Sequence, residues 1–431
     1  MSRGERETIL PDEPEGVDLT EELKKPKKIG LEKTVLDMER ILKESLGRTV
    51  LDVKRIKVET RSGEKTEEKE TPEMILKRAD TLDAAMFEVR LEEAMRAREG
   101  EEIDDETRVA RIRKVLKDLN DSQEIRMAEP DKDNPLENLK DKLGLTEEQV
   151  REGKVITNRS FILHLIERGR ALDTVYKPAR GEPEMLVRGG IEPGTGFKKS
   201  WLARKLSEAF ELGIVPPLVL RQESEGIGSV QKWIEGAKTA EEAPDREMKP
   251  EVLVKFAMLD FFSGNQDRYH GRNHAVDEDG EGYGYDHDLC FSAPLYNEDG
   301  EERVPALLTA SRLLQEVSKI DPIVHTKVVM EHLKIFWESP ARQRVLKESF
   351  RFALGEDAEA IWRAFMLRVQ ETLEEEMLPK DHEVLPSPEA LAKNPEAVGA
   401  DVAKMRNSLG EEARGEIYRK SLMPKAERAA A

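Results

Sequence analysis

Near residue 150 the chain changes texture, and that change does most to restrict what it can fold into. Before it, apolar residues recur at helical spacing inside highly charged stretches. After it, short apolar runs alternate with turn residues, as in KVITNRSFILHLIERGRALDTVYKPARGE. Runs of this length, bounded by Gly and Pro, read as strands near 153–157, 160–166 and 171–177, the last ending at Lys177. A helix is expected at about 197–212, and VPPLVLRQ and IGSVQKWI supply two further strands. Consecutive short strands with one inserted helix predict a twisted antiparallel sheet. After Pro250 the pattern turns helical (EVLVKFAMLDFF), a hairpin signature follows in NHAVDEDGEGYGYDHDLCF, and several helices fill 305–378.

The first part reads differently. Residues 1–28, rich in Pro, Glu and Lys, have the composition of a disordered lead. Leu31, Val35, Leu36, Met38, Ile41 and Leu42 mark a helix over 31–46, and the looser alternation of Val50, Val53, Ile56 and Val58 a strand at 50–60. Two charged helices are expected at 73–98 and 105–120. The apolar stripe from Met74 through Leu82, Met86 and Val89 to Met95 has the form of a docking face. Residues 121–140 read as a linker. The expected organisation is therefore a lead (1–28), a charged, mainly helical region (29–145), a strand-rich unit (150–236), a helical unit (246–380) and a helical tail (381–431).

Composition narrows the partners. The 431-residue chain carries a formal net charge of −19 and has 37% charged residues. Such a surface repels phosphate backbones at long range, which argues against a nucleic-acid partner. No run approaches the roughly 18 apolar residues of a membrane span, and the N-terminus lacks the apolar core of a signal peptide. The single cysteine, Cys290, forms no intrachain disulfide. A cytoplasmic protein without stable membrane insertion is expected; oligomeric state is not readable.

Three stretches carry chemistry. TVYKPARGE ends a strand at Lys177, whose amine can reach into a cleft as a point charge on phosphate, although taken alone it reads as a solvated surface lysine. SGNQDRYHGRNHAV follows a strongly apolar helix and offers Asp267 and, six residues on, Asn273. A carboxylate and an amide bracketing a short loop suit a base and a magnesium ligand, against the plainer reading of polar turn residues. GYDHDLCF places Asp286 thirteen residues after Asn273, the length of two short strands joined by the EDGEG turn. Asp288, two residues further, would share a strand face with Asp286. His270, His274 and His287 crowd the same region; a zinc site is conceivable, and packing histidines are the plainer reading. DEDGEG lacks the twelfth-position Glu of a calcium loop.

In order and separation, VYKPARGE, LGIVPPLV, GSVQKW, SGNQDRYHGRN and YDHDLCF together resemble the phosphatidylinositol 3/4-kinase-like branch of the protein-kinase fold, which includes kinases of the HipA type. The resemblance covers roughly 150–300 and implies an α+β, two-lobed protein-kinase-like fold. Residues 150–236 would form an antiparallel-sheet N-lobe and 246–380 a helical C-lobe, behind a mainly helical N-terminal extension. It implies ATP and magnesium as cofactors. Lys177 would contact the nucleotide phosphates, Asp267 would be the catalytic aspartate, and Asn273 and Asp286 would bind metal. Gln231, Lys232 and Trp233 would line the interlobe hinge beside adenine, and the 197–212 helix would be the regulatory helix of the upper lobe.

Three departures stand out. The family spaces its aspartate and asparagine by five residues, and here the interval is six. The helix glutamate expected to pair with Lys177 is replaced by Ser200, with Glu192, Glu208 and Glu182 as substitutes. The TNRSF turn expected over the phosphates is poor in glycine. The resemblance implies a kinase acting on a protein Ser or Thr hydroxyl. The rival expectations are a nucleotide-binding pseudokinase or interaction module, and a lipid kinase or AMP transferase on the same fold.

Overall fold

Strands form where the alternation predicts them. FILHLIE and RALDTVYKP become β3 (Phe161–Glu167) and β4 (Arg170–Pro178), antiparallel from Phe161↔Tyr176 to Glu167↔Arg170. Strands β5 (Leu218–Glu223) and β6 (Gly226–Lys232) form the next hairpin, and β6 pairs with β4 so that Lys177 lies opposite Ser229. The computed structural model describes residues 70–378 except 97–104, 134–135, 139–159, 168, 182–193, 240–241, 244, 269–272, 294, 297–301, 305–306, 308 and 310. The described residues fall in one compact unit, Thr66–Ala431. The expected lead, the helix at 31–46, the strands at 50–60 and 153–157, and the tail from 381 onward lie outside the described residues.

The fold mixes helix and sheet. The main sheet runs β1 (Glu129–Pro130), β3, β4, β6 and β5, with β2 (Leu136–Asn138) also on β3, and every pairing is antiparallel. Here the expected linker at 121–140 is corrected. Helix α2 (Asp105–Met127) continues seven residues past its expected end, and β1 (Glu129–Pro130) and β2 (Leu136–Asn138) pair with the outer edge of β3. These pairings are made by backbone groups, so polar residues such as Glu129 and Asn138 take part without any apolar alternation.

The period of two along a strand sorts side chains onto the two faces of the sheet. Leu218 and Leu220 join the large core with helix α3 (Gly196–Ala209), while Val219 joins Leu163, Leu165, Tyr176 and Val230 against Ile125 and Ala128 at the end of α2. Helix α3 stops three residues short of the expectation. Glu211 takes a left-handed φ of 56°, and Arg342, fully buried, donates to the carbonyls of Glu208 (3.1 Å) and Ala209 (3.0 Å). A guanidinium on the last carbonyls satisfies groups the helix cannot pair internally. Helix α1 (Pro72–Met95) buries Met86, Val89 and Leu91 of the anticipated stripe, while Met74 and Met95 at its ends stay exposed.

The apolar helix after Pro250 is α4 (Pro250–Ser263). It is followed by α5 (Arg312–Val317), α6 (Pro322–Trp337), α7 (Pro340–Leu354) and α8 (Ala358–Glu375). Phe210, just past α3, sits edge-on to Phe336 of α6 (4.9 Å, 88°) and Phe262 of α4 (5.2 Å), geometry that suits aromatic quadrupoles. No helix among the described residues is long and apolar enough to cross a membrane.

His332 on α6 donates from Nδ1 to the Phe210 carbonyl at 2.8 Å. Burial, helped by Lys255, pulls its imidazole down to about 4. The folded state therefore refuses a proton that the unfolded chain takes up below pH about 6.5. His332 should remove about 1.4 kcal/mol of stability per pH unit between pH 6.5 and 4. Urea unfolding across that window should show the loss, and His332→Gln should flatten it; an unchanged slope would count against this assignment.

Candidate functional site

The site begins where α4 ends. Gly264 caps the helix at φ 61°, and a Cβ there would lie 2.5 Å from the Leu307 backbone, so glycine is required. Asn265 donates to Asp260 at 2.8 Å and accepts from the Asp267 amide at 2.9 Å, which fixes the start of the loop. The loop returns at Asn273, whose Nδ2 donates to the Asp267 carbonyl (2.7 Å) and to Asp267 Oδ2 (2.9 Å). The six-residue interval thus closes with the two side chains in contact. With its amide nitrogen spent on Asp267, Asn273 keeps Oδ1 as an oxygen donor.

The anticipated hairpin is β8 (His274–Val276) with β9 (Gly282–Gly284), joined by β7 (Lys238–Thr239) on the far edge of β8. The Asp277 side chain accepts from the amides of Asp279 (3.0 Å) and Glu281 (2.9 Å) and shapes the turn. At the open end the Tyr285 amide donates to the Asn273 carbonyl at 3.1 Å, so Asn273 and Asp286 leave the hairpin as neighbours.

Asp286 and Asp288 do not share a strand face, contrary to the expectation. Residues 285–288 lie outside any strand, and Asp286 has φ 54°. The left-handed turn still aims both carboxylates at one cation. Lys177 Nζ lies 2.5 Å from Asp286 Oδ1 and 3.5 Å from Asp288 Oδ2. Burial alone would lower the Lys177 amine, but the two carboxylates override it and hold it above its ordinary value. Burial, reinforced by Asp286, raises the Asp288 carboxyl against the pull of Lys177.

Asp288 also accepts from Ser200 Oγ at 2.5 Å. The serine in the place of the absent helix glutamate therefore holds the carboxylate that pairs with Lys177. Glu208 is occupied elsewhere: burial opposes its charge, but Lys205, Arg204 and Arg90 hold its carboxyl down at about 2. Glu182, Glu192 and the TNR of the phosphate-turn candidate lie outside the described residues.

The three hinge candidates have other commitments. Gln231 is buried and donates to the Gly284 carbonyl at 3.2 Å, Lys232 pairs with Asp121 of α2 at 3.0 Å, and the Trp233 ring lies 6.5 Å from that of Tyr285. They tie β6 to the hairpin and to α2.

Arg268 is the residue that sequence reasoning passed over. Its guanidinium is fully buried and binds Asp260 (3.2 Å), the carbonyls of Asn273 and Tyr285 (3.0 Å for the latter), and His287 Nε2 (2.9 Å). Arginine only donates, so His287 accepts at Nε2 and carries its proton on Nδ1. Burial, with Arg268 and Lys177 nearby, keeps that ring neutral. His274 packs on Phe256 at 5.9 Å, and burial pulls its imidazole down to about 3. Both histidines are engaged as packing groups, and His270 lies outside the described residues. Among the described residues no cluster of three or more His, Cys, Asp or Glu side chains is arranged to hold a metal. The oxygens of Asp286, Asn273 and Asp267 are the hard donors near the site, a set suited to an ion that keeps most of its waters.

No family model matches the chain, and no curated protein matches it. Among solved structures, that of the Helicobacter pylori proinflammatory kinase CtkA is similar at a TM-score of 0.31 and 9% identity, over 52% of this chain and 89% of that one. That score is too low to assign the fold, and the reading of the site rests on this chain's own residues.

Lys177→Met would leave Asp288 buried without its cation. Breaking a buried pair costs about 3–5 kcal/mol; because Asp286 is open to solvent, a loss of roughly 1–3 kcal/mol is expected here. The penalty exists above the raised carboxyl pKa of Asp288 and disappears as pH falls through it. Unfolding followed from pH 8 downward to the acid limit of the fold should show the deficit shrink on acidification, and a deficit independent of pH would refute the coupling.

Proposed function

We propose that the protein is an ATP- and magnesium-dependent phosphotransferase of kinase-like architecture acting on a protein Ser or Thr hydroxyl. The observation that carries the reading is the meeting of Lys177, at the end of a sheet strand, with Asp286, at the exit of the hairpin that follows helix α4. In this reading residues 150–236 are the sheet lobe and 246–380 the helical lobe, and the nucleotide lies between them with Gln231–Trp233 along its adenine side.

The residues then divide the work. Lys177, a compact cation, binds the nucleotide phosphates once they compete for it with Asp286 and Asp288. Asp286 and Asn273 Oδ1 are the protein's ligands for magnesium, which would neutralise charge on the transferring phosphate. Asp267, held by Asn273 through its Oδ2, orients the acceptor hydroxyl and takes its proton. Ser200 keeps Asp288 beside Lys177, which supplies from the far side of the site the carboxylate that α3 lacks.

A second reading has its own support. Lys177 is already neutralised by two carboxylates, and α3 offers a hydroxyl rather than a carboxylate at its side. A protein built this way could bind nucleotide without turning it over and act as an interaction module.

Transfer from labelled ATP with magnesium to protein acceptors separates the two. The phosphotransferase reading expects Asp267→Ala to lower transfer by at least about 100-fold while calorimetry still detects ATP. Nucleotide binding with no transfer by the unaltered protein supports the second reading, and equal transfer by both proteins rejects Asp267 as catalytic. Mass spectrometry of the product distinguishes a gained phosphate from a gained adenylate.

A further inference from the structure

A second charged cluster lies apart from Lys177, where α1, α2 and α3 meet. They enclose a cavity of about 40 Å³ that Gly213 and Glu211 border beyond the end of α3. About 10–15 Å³ of such volume holds one water, so the space suits a few waters or one small ion and is far too small for a nucleotide. Four cations line it: Arg90 from α1, Arg111 and Lys114 from α2, and Arg204 from α3. That is unusual local charge in a chain whose net charge is −19.

The three carboxylates on the wall are already engaged. Asp118 lies 2.9 Å from Arg90 and 3.6 Å from Arg204. Glu208 bonds Arg204 at 2.8 Å and also pairs with Lys205, and Glu211 pairs with Arg342 at 2.5 Å. Arg111 and Lys114 are left with no ion pair among the described residues. Lys114 Nζ sits over Gly213, 2.9 Å from where a Cβ would be, which holds its ammonium at the cavity.

The donors have the same bias. Arg90 Nε and Ser207 Oγ are buried without a hydrogen-bond partner, and Arg204 Nη2 faces only Asp118 Oδ2, at 3.6 Å, too long for a hydrogen bond; the three residues are 7%, 1% and 4% exposed. Buried donors without acceptors are rare in native proteins and call for a missing partner. Guanidinium and hydroxyl groups converging from separate helices call for an acceptor with several oxygens, and planar guanidinium favours tetrahedral oxyanions.

We propose that this cavity binds a tetrahedral oxyanion of inorganic-phosphate size, held by Arg90, Arg111, Lys114, Arg204 and Ser207. The anion crosslinks α1 and α2 to α3, the helix that carries Ser200. The proposal requires neither nucleotide nor metal and stands apart from the phosphotransferase reading.

The full-length chain, free of nucleotide and magnesium, would be titrated with inorganic phosphate by calorimetry and thermal unfolding, against sodium chloride of equal ionic strength. A saturable rise in Tm is expected, because a ligand of the folded state stabilises it by mass action. Arg111→Gln/Lys114→Ala changes only the half-buried and exposed members and should weaken phosphate at least tenfold with the far-UV spectrum intact. Ser207→Ala serves as a second, smaller perturbation in the same direction. No rise beyond the chloride control would overturn the proposal. So would binding that is undiminished in the double variant, since the phosphate would then sit elsewhere.

Discussion

Arg268 is the constraint on which the rest of the site depends. A buried guanidinium has to find acceptors for its donors or the desolvation cost goes unrecovered. Here the acceptors are a carboxylate of α4, the two carbonyls at the open end of the β8–β9 hairpin, and an imidazole of the segment beyond it. Asp260 is secured in turn by Asn265 and by Ser311 Oγ at 2.6 Å. One side chain thereby fixes the distance between the helix that precedes Asp267 and the turn that delivers Asp286. No apolar residue could do this, because only directional bonds set the relative orientation of three backbone segments.

Helix α3 links this constraint to the remainder of the molecule. Its inner side presents Ser200 to Asp288 and apolar residues to β5, β6 and α4. Its other sides are occupied as fully. Trp201 Nε1 donates to Asp83 of α1 at 3.1 Å, Lys205 reaches the same carboxylate at 2.7 Å, and α7 packs alongside with Phe352 edge-on to Trp201. A helix buried on nearly every side cannot shift without disturbing its neighbours. The charged N-terminal helices therefore belong to the architecture that sets the position of Ser200.

Much of this was legible in the sequence, for identifiable reasons. Alternation gave away β3 to β6, the apolar run marked α4, and the EDGEG turn with its spacing anticipated the hairpin that brings Asn273 and Asp286 together. What escaped was whatever side-chain pattern does not encode. Glu129–Pro130 and Leu136–Asn138 join the sheet through backbone pairing, with Leu136 as the one apolar side chain they add to its core. The left-handed φ of Asp286 replaces a strand with a turn, so Asp288 reaches Lys177 through that turn and not through the shared strand face that a period of two predicts. The Ser200–Asp288 bond joins residues distant in the chain, and nothing at either position announces the other. The one available hint was that Ser200 occupied a place where a carboxylate was wanted. Arg268 was visible only as the neighbour of Asp267, since a buried charge and a solvated one look identical in a sequence.

Cys290, beside the site, has a further consequence. It is the only thiol in the chain, it is fully buried, and it accepts from Ser263 Oγ at 3.5 Å. Burial pushes it up to about 12, so the native state holds almost no thiolate to react with an alkylating reagent. Labelling at this sulfur must wait for the end of α4 and the 285–291 turn to separate, since Ser263 bonds both Cys290 and the Phe291 amide. The chain thus contains a built-in clock for the opening of its own centre, readable by mass alone and silent while the fold stays closed.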